Sequence, residues 1–464
     1  MRVSNCVIVA VVAAVAALSP AACGSSSPSP ASTPPDAGGD STGVDSNIGA
    51  PDAPIDTGSD VDNGAPSTNY PAPHPALPQV VNNASGPVLT APKVYLVFYP
   101  DYPYETPLID FAQKMVASTF WATTTHEYGV GALTYGGIIT LTGQTPPAMI
   151  SSSDIQTWVA SEIQQGAFGT PDPQAIYSVF YPQGTVITQP NPVSTLLPAA
   201  QSCSQFGGYH DNTSVALTDG GAAQEFAYAV IPTCSTTVND LTVALSHEWV
   251  EASTDPLVTA SGVFTVTGGP NAAYYSADQA HVIWDLLGGG EAGDLCEPEA
   301  PAVYVVPSDL SPYKVQRTWS NLQAQGSHDP CAPDIAGAFF DAAPVLPAMV
   351  SLTSTLTGPL TSQGVVIPVG QSKTIEVDLF SDGDTGGPWK VAAADVLSTY
   401  YGSYGLPQTL TFAWDRDQGQ NGEKLHLTIT VTTAFPLTGG GHAFMITSSN
   451  GTRNAVWPGL VVEQ

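Results

Sequence analysis

Basic residues are scarce in this chain. Ten of its 464 residues are lysine or arginine, against 40 aspartates and glutamates, and the formal net charge is −30. A chain with this charge repels nucleic acids and anionic lipid, so no nucleic-acid partner is expected. Charged residues of both signs make up only 11% of the sequence, well below the roughly 25% of an average soluble protein. This composition is typical of an exported, β-rich protein.

Long apolar runs are also missing, apart from one at the N-terminus. Arg2 precedes the apolar run Val7–Leu18, which is shorter than the roughly 20 residues that a spanning helix needs. The pattern predicts a signal peptide over residues 1–22. Cys23, followed by Gly24, resembles a bacterial lipoprotein cleavage site, so Cys23 is the predicted lipidation site and anchors the protein to a membrane. The expected location is the bacterial cell envelope, as an outer-membrane lipoprotein. Ordinary cleavage, giving a secreted extracellular protein, is the alternative.

Cysteine is rare, and two of the six cysteines lie at or before the predicted cleavage site. The four that remain are Cys203, Cys234, Cys296 and Cys331. An even number of cysteines in an exported chain predicts disulfide bonds. Three pairings are open, and proximity in the sequence favours Cys203–Cys234 and Cys296–Cys331. The spacing lacks Cys-x-x-Cys, which argues against zinc ligation by cysteine.

The composition changes twice along the chain and predicts three mature segments. Residues 23–80 are rich in Ser, Pro, Gly and Asp, which predicts a disordered tether. Residues 81–340 alternate strand patterns, such as Lys93–Tyr99, with helix patterns, such as Asp154–Gln165, which predicts an α+β domain with a helix packed on a sheet. Residues 341–464 contain regularly spaced short strands and the turn pair Asn421-Gly422. They predict an immunoglobulin-like β-sandwich.

The main chemical signal lies on a helix predicted from about residue 239, with Asn239 or Asp240 as its N-cap. His247 and Glu251 are four residues apart and therefore share one face. With Glu248 they form His-Glu-x-x-Glu, a variant of the zincin motif His-Glu-x-x-His. Imidazole and carboxylate both bind zinc, and Glu248 is the expected catalytic general base. The alternative is a solvated Glu face with one core histidine.

Further candidate residues lie on either side of this helix. Glu291 and Asp294 follow a glycine run, and they are predicted to be the third metal ligand and a partner that orients the ligand histidine. Asp255, before Pro256, is a second such partner or a turn cap. His210 is an auxiliary ligand or a loop residue.

Four blocks together resemble the Exordium, or phosphate-induced protein 1, family of plants and its bacterial relatives. They are Lys93–Tyr99, Gly208–His210, Ser246–Leu257 and Glu291–Cys296, in the family's order. The resemblance covers about residues 85–335 and leaves the predicted sandwich outside. It implies an extracellular or cell-wall protein, and it supplies no substrate.

Two functions are compatible with these patterns. The first is a zincin-like metal-dependent hydrolase, expected to be a peptidase acting on polypeptides, with zinc held by His247, Glu251 and Glu291. Two carboxylate ligands make calcium a less favoured alternative. The second is a non-catalytic surface or adhesion protein with structural or calcium-binding acidic sites. Its expected ligand is a cell-wall polysaccharide or a protein. The hydrolase requires the three predicted ligands to converge within a few ångströms.

Overall fold

The structure is a computed structural model that describes residues 62–463, except residues 83–84, 191–197, 218–220, 259–270, 287–288, 300, 355–357, 403–405, 437–440 and 452. The strands of this part of the chain, β1 to β24 in order, are Val80–Asn82, Lys93–Phe98, Thr134–Thr140, Met149–Ser151, Ala175–Tyr181, Val186–Gln189, Ala200–Gln201, Tyr209–Ala216, Ala223–Pro232, Tyr274–Ala277, Tyr304–Val305, Val315–Gln316, Thr318–Trp319, Cys331–Ala332, Phe340–Pro344, Ala348–Ser354, Gly358–Val366, Ser372–Ser381, Trp389–Asp395, Leu410–Trp414, Gln418–Gly419, Lys424–Val431, Gly441–Ser449 and Asn454–Val462. The α-helices, α1 to α6, are Glu105–Ala117, Thr119–Thr125, Ser152–Gln164, Val238–Thr254, Asn321–Gln325 and Val396–Tyr401. The 3-10 helices are His126–Tyr128, Val282–Leu286 and Asp294–Glu299.

A five-stranded sheet of order β3-β2-β5-β9-β8 organises the first region. Its first four strands are parallel, and β8 pairs antiparallel with β9 at one edge. Every residue of the central strand β5 is buried, as expected for a strand with helices on both faces. Helix α3 packs on one face, and α1 and α4 pack on the other. The prediction of a mixed α and β region is therefore confirmed.

Helix α4 begins at Val238, one residue before the predicted start, and its N-cap is Thr237. The predicted cap Asn239 instead accepts a hydrogen bond from the backbone N–H of Lys314 at 3.1 Å, which explains why its side chain does not cap the helix. On the opposite side from the motif, the Trp249 indole donates to the Ser178 hydroxyl of β5 at 2.8 Å. With about 100° of rotation per residue, His247 and Glu251 lie about 200° around the helix from Trp249, so they point away from β5.

The second region is a β-sandwich, as the strand spacing predicts. One sheet has the order β15-β18-β22-β20, and the other has the order β16-β17-β24-β23-β19-β21. Buried and partly exposed residues alternate along β22 and β23, which is the pattern of a sheet with one covered face. Leu427 and Ile429 of one sheet and Phe444 and Ile446 of the other belong to a single core.

The two regions share a hydrophobic core. Trp284 and Trp319 of the first region lie 5.8 Å apart between ring centroids, and Trp284 lies 5.5 Å from Trp457 of the sandwich. Phe380 of the sandwich contacts the same Trp457 ring at 6.5 Å. These residues all belong to the cluster that also contains the inner face of α4, so apolar burial links the regions.

The predicted tether is too long at its C-terminal end. The ring of His74 stacks on Phe380 at 3.6 Å. The side chain of Asn421 accepts from the Ala72 N–H and donates to the carbonyl of Ser67. Ala72 and Leu77 are buried. Residues 62–80 therefore pack on the folded protein, because Asn421 and Phe380 supply partners that composition alone does not reveal. The signal peptide, Cys23 and the tether up to residue 61 lie outside the described residues.

Both predicted disulfide bonds are present, Cys203–Cys234 and Cys296–Cys331. The first connects the segment before β8 to the segment before α4. The second connects the 3-10 helix Asp294–Glu299 to β14. Each bond therefore fixes a segment that borders the His-Glu-x-x-Glu helix.

Candidate metal centre

Eight ionisable side chains meet beside the C-terminal half of α4, and each is at most 8% exposed. Helix α4 supplies three of them, β8 supplies one, and the residues after α4 and around the 3-10 helix Asp294–Glu299 supply the rest. We term this set the acid–histidine cluster, and its members are His210, His247, Glu248, Glu251, Asp255, Glu291, Asp294 and Glu297. It contains every residue that the sequence proposed as a ligand, base or supporting group.

The geometry divides the strongest ligand candidates into two sets of three. One contains His210, Glu251 and Glu291, the other contains His247, Glu251 and Asp294, and within each set the ligand atoms lie within 4.8 Å of one another. The predicted trio is thus split: Glu291 accompanies His210, and Asp294 accompanies His247 in its place.

One contact of each set involves the same oxygen atom. Glu251 Oε2 lies 2.9 Å from His247 Nε2 and 3.6 Å from His210 Nδ1. Beyond this oxygen, His247 Nε2 is 3.7 Å from Asp294 Oδ1, and His210 Nε2 is 3.4 Å from Glu291 Oε1. The other oxygen of Glu251 accepts a hydrogen bond from the Asp294 N–H at 3.1 Å, which fixes the orientation of the carboxylate.

Backbone and side-chain polar groups hold the two imidazoles in place. His210 Nε2 lies 3.3 Å from the carbonyl oxygen of Asp255, and the Asp255 carboxylate accepts from the Ala273 N–H at 2.6 Å. The Gln316 amide lies 2.8 Å from His247 Nδ1 and donates to the Gly293 carbonyl.

The inner atoms of the cluster have no hydrogen-bond partner among the described residues. They are His210 Nδ1, His247 Nε2, Glu251 Oε2, Asp255 Oδ2, Glu297 Oε2 and both carboxylate oxygens of Glu248, Glu291 and Asp294. A buried polar group without a partner costs about 1–3 kcal/mol, and more when it is charged. Such a concentration of unpartnered donors and acceptors fits a site that a cation completes.

Burial and mutual repulsion disturb the titration of these groups. Burial raises the pKa of Glu297 to about 8 and that of Asp255 to about 6. It also raises the pKa values of Glu291 and Asp294 well above their usual range. Burial lowers the pKa of His247, but the surrounding carboxylates, with Glu251 the strongest, together outweigh this effect and raise it to about 10. Within the described residues, the ion pairs of the cluster are with its own histidines and not with Lys or Arg.

Two glycines make this close approach of side chains sterically feasible. A Cβ atom at Gly293 would lie 2.6 Å from Glu251 Oε1 and 2.7 Å from His247 Nδ1. Gly289 has a φ of +133°, and a Cβ there would lie 1.7 Å from Asp294 Oδ2. Any larger residue at either position would push a carboxylate or an imidazole out of the cluster. Gly289 and Gly293 therefore leave the space that the cluster side chains occupy.

A cleft of about 360 Å³ reaches one side of the cluster. His247, Glu248 and Glu297 are the cluster residues that line it. Gly208, Tyr304 and other residues form its walls. The cluster is therefore buried, but a small molecule or an extended chain can approach the His-Glu pair.

Sequence reasoning missed two members of this environment. Glu297 lies three residues after Asp294 in a 3-10 helix, where residues three apart share a face, so the spacing Asp-x-x-Glu could have indicated it. Gln316 lies in the two-residue strand β12, far from the motif in sequence. No sequence pattern near Gln316 indicates its contact with His247.

Comparisons with known proteins leave the chain without a family. No protein-family model and no curated protein matches it. Domains 4 and 5 of the S-layer protein SbsC match 35% of this chain and 66% of that chain, just under two thirds, at 17% identity and a TM-score of 0.15. The titin M3 domain matches 22% of this chain and 88% of that chain, at 13% identity and a TM-score of 0.15. Scores this low assign neither fold nor function.

Proposed function

We propose that this protein is an exported surface protein whose acid–histidine cluster holds a divalent metal ion as a structural element. The observation that carries the proposal is the set of buried, unpartnered nitrogen and oxygen atoms that face one another around Glu251 Oε2. Metal coordination would satisfy these atoms and offset the repulsion between the carboxylates. The ion would then join β8, α4 and the 3-10 helix Asp294–Glu299.

The donor chemistry favours a transition metal over calcium. Each set of three contains one imidazole and two carboxylates. Calcium binds oxygen ligands, whereas imidazole suits zinc and other first-row metals, and carboxylate suits manganese. Zinc or manganese is therefore the proposed ion, and calcium is the less favoured one.

The predicted signal peptide, the acidic composition and the disulfide bonds support a location outside the cytosol. Disulfide bonds form and persist outside the reducing cytosol, and both predicted bonds are present. Lipidation at Cys23 would tether the protein to a membrane, and the sandwich would present a surface to polysaccharide or protein. None of the described helices is long and apolar enough to cross a membrane.

The metal content of the purified full-length protein tests this proposal. We expect the parent protein to retain zinc or manganese through gel filtration, and Glu251→Gln to lose it, because this change removes the carboxylate common to both sets. Asp341→Asn, which changes a buried carboxyl group of the sandwich, is the matched control and should retain the metal. A parent protein that takes up neither zinc nor manganese when either is supplied in excess would contradict the proposal.

A second candidate function is hydrolysis, favoured by the cleft that ends at His247 and Glu248. A bound metal would supply Lewis-acid polarisation of a substrate carbonyl. Glu248 belongs to neither set of three, and both its oxygens lack partners. Its carboxylate lies 3.4 Å from His210 Nδ1. It can therefore take a proton at the cleft and return it to a leaving group.

Glu248→Gln separates this activity from the structural role. The variant should retain metal, because Glu248 is in neither ligand set, and it should lower any hydrolysis of a fluorogenic casein substrate roughly 10²–10⁴-fold. Glu162→Gln, an acidic-to-amide change on α3 outside the cluster, is the control. A metal-loaded parent that does not hydrolyse the substrate would contradict the hydrolase function, and the structural role of the metal would be the one that remains.

A further inference from the structure

The carboxylate of Glu251 stands between two histidines. Its Oε2 atom faces His247 Nε2 on one side, at 2.9 Å, and His210 Nδ1 on the other, at 3.6 Å. Both ring nitrogens and the oxygen lack hydrogen-bond partners in the described residues. An oxygen placed in this way can contact a cation on either side.

One cation position does not serve both histidines in this arrangement. Donors bound to one zinc ion at about 2.0–2.2 Å lie at most about 4.4 Å apart. Within the acid–histidine cluster, the three-residue sets with ligand atoms within 4.8 Å of one another contain either His210 or His247, but not both. Each histidine has its own further carboxylate, Glu291 in one set and Asp294 in the other. The donors thus form two sites that overlap at Glu251.

The charge of the cluster also favours two cations over one. Six carboxylates and two imidazoles are at most 8% exposed, and no Lys or Arg of the described chain is paired with them. One divalent cation would leave most of the carboxylate charge uncompensated in a buried setting, which is costly. A second divalent cation would offset about twice as much of the carboxylate charge.

We infer that the cluster has two cation positions bridged by Glu251, one with His210 and Glu291 and the other with His247 and Asp294. This inference rests on the proposed metal-binding function and adds the number of ions bound, which is two per chain. Paired metal sites in proteins are about 3.5–4 Å apart, a spacing that one shared carboxylate can bridge. The His247 position borders the cleft, and the His210 position lies behind it, towards Asp255.

The experiment counts ions in the full-length protein. Metal-free protein is loaded separately with Zn²⁺ and with Mn²⁺, passed through a desalting column, and analysed for metal per chain. We expect two ions in the parent, one in Glu291→Gln, one in Asp294→Asn, and none or a weakly held ion in Glu251→Gln. Asp285→Asn is the matched control, because Asp285 is also buried but belongs to neither set. It should keep two ions.

Anomalous diffraction from crystals of the zinc-loaded parent gives an answer independent of the variants and of their folding. Two peaks, one beside each histidine, would support the inference. A single ion per parent chain, with a single peak, would overturn the inference and leave the proposed function intact. A parent that binds neither Zn²⁺ nor Mn²⁺ would overturn both.

Discussion

Two groups of buried carboxylates lie at opposite ends of one short 3-10 helix, Asp294–Glu299, and they differ in the cations that accompany them. Asp294 belongs to the acid–histidine cluster. Glu299 belongs to a second group, with Asp329, Arg317 and Arg453, which we term the arginine–carboxylate cluster. All four of its members are at most 6% exposed.

The arginine–carboxylate cluster carries its own positive charge. Arg317 and Arg453 both donate to the Asp329 carboxylate, and Arg317 also donates to the carbonyls of Pro333 and Cys331. Glu299 lies 3.6 Å from Arg317. Burial and the nearby charge of Asp329 still raise the pKa of Glu299 to about 8, despite the two arginines.

The two clusters therefore differ in whether the chain itself supplies the cations that offset their carboxylates. Of only ten basic residues, two are buried at the junction between the first region and the sandwich, where Arg317 and Arg453 come from opposite sides. None is paired with the acid–histidine cluster in the described chain. The arginine–carboxylate cluster is therefore complete within the protein, and the acid–histidine cluster requires protons or metal ions to offset its charge.

The largest expected effect comes from removing an arginine from the complete cluster. Arg317→Met leaves the Asp329 carboxylate with one fewer buried cation, and breaking such a pair costs about 3–5 kcal/mol. Urea unfolding followed by tryptophan fluorescence measures this loss.

A surface pair supplies the control for Arg317→Met. Lys93 pairs with Asp172, and its side chain is 37% exposed, so Lys93→Met should cost only about 0–1 kcal/mol. Equal losses in the two variants would mean that burial of the arginine is not what makes the cluster stable.

A smaller effect is expected from metal at the incomplete cluster. A ligand at 100 times its Kd stabilises a protein by about 2.7 kcal/mol. Zinc or manganese at that level should stabilise the parent by about this amount for each ion bound, and Arg317→Met equally, because the clusters are separate and their effects add. Glu251→Gln should show no such gain. Thermal unfolding with and without metal checks this, and a gain in Glu251→Gln would place the bound ion elsewhere.

Local patterns account for what the sequence predicted correctly. Alternating apolar residues located the strands around Leu427, and turn pairs such as Asn421-Gly422 separated them. The spacing of His247 and Glu251 placed both on one helix face. Proximity of the cysteines identified both disulfide bonds, because each closes a short loop. These features depend on neighbours in the chain.

The division of the site depended on contacts between distant segments, which no local pattern contains. The sequence predicted Glu291 as the third ligand of the His247 site, because it follows the motif helix, but β8 brings His210 beside Glu291. The role of Gln316 and the docking of residues 62–80 onto Asn421 have the same origin. Each arises from an arrangement of strands that spacing alone does not fix.

Asp341 extends the comparison to a buried carboxyl group that has neither an arginine nor a place in the acid–histidine cluster. It accepts hydrogen bonds from the Ala342 N–H at 2.7 Å and from the Ser448 hydroxyl at 3.1 Å. Burial raises its pKa to about 7. The folded protein thus holds a proton on Asp341 at pH 6, whereas the unfolded chain, with an ordinary pKa of 3.8, does not.

The smallest predicted effect follows from this proton. Since the folded state binds the extra proton, the contribution of Asp341 to stability is complete below about pH 4 and is lost as the pH rises towards 7. Between pH 6 and pH 7 this loss is about 1 kcal/mol. Asp341→Asn keeps an acceptor for Ala342 and does not titrate, so the difference in stability between variant and parent should shift by that amount in favour of the variant. Urea unfolding at both pH values measures it. A difference that stays constant between pH 6 and pH 7 would mean that Asp341 is already ionised in the folded protein at pH 6, and that burial without a cation does not suffice to keep a carboxyl group protonated here.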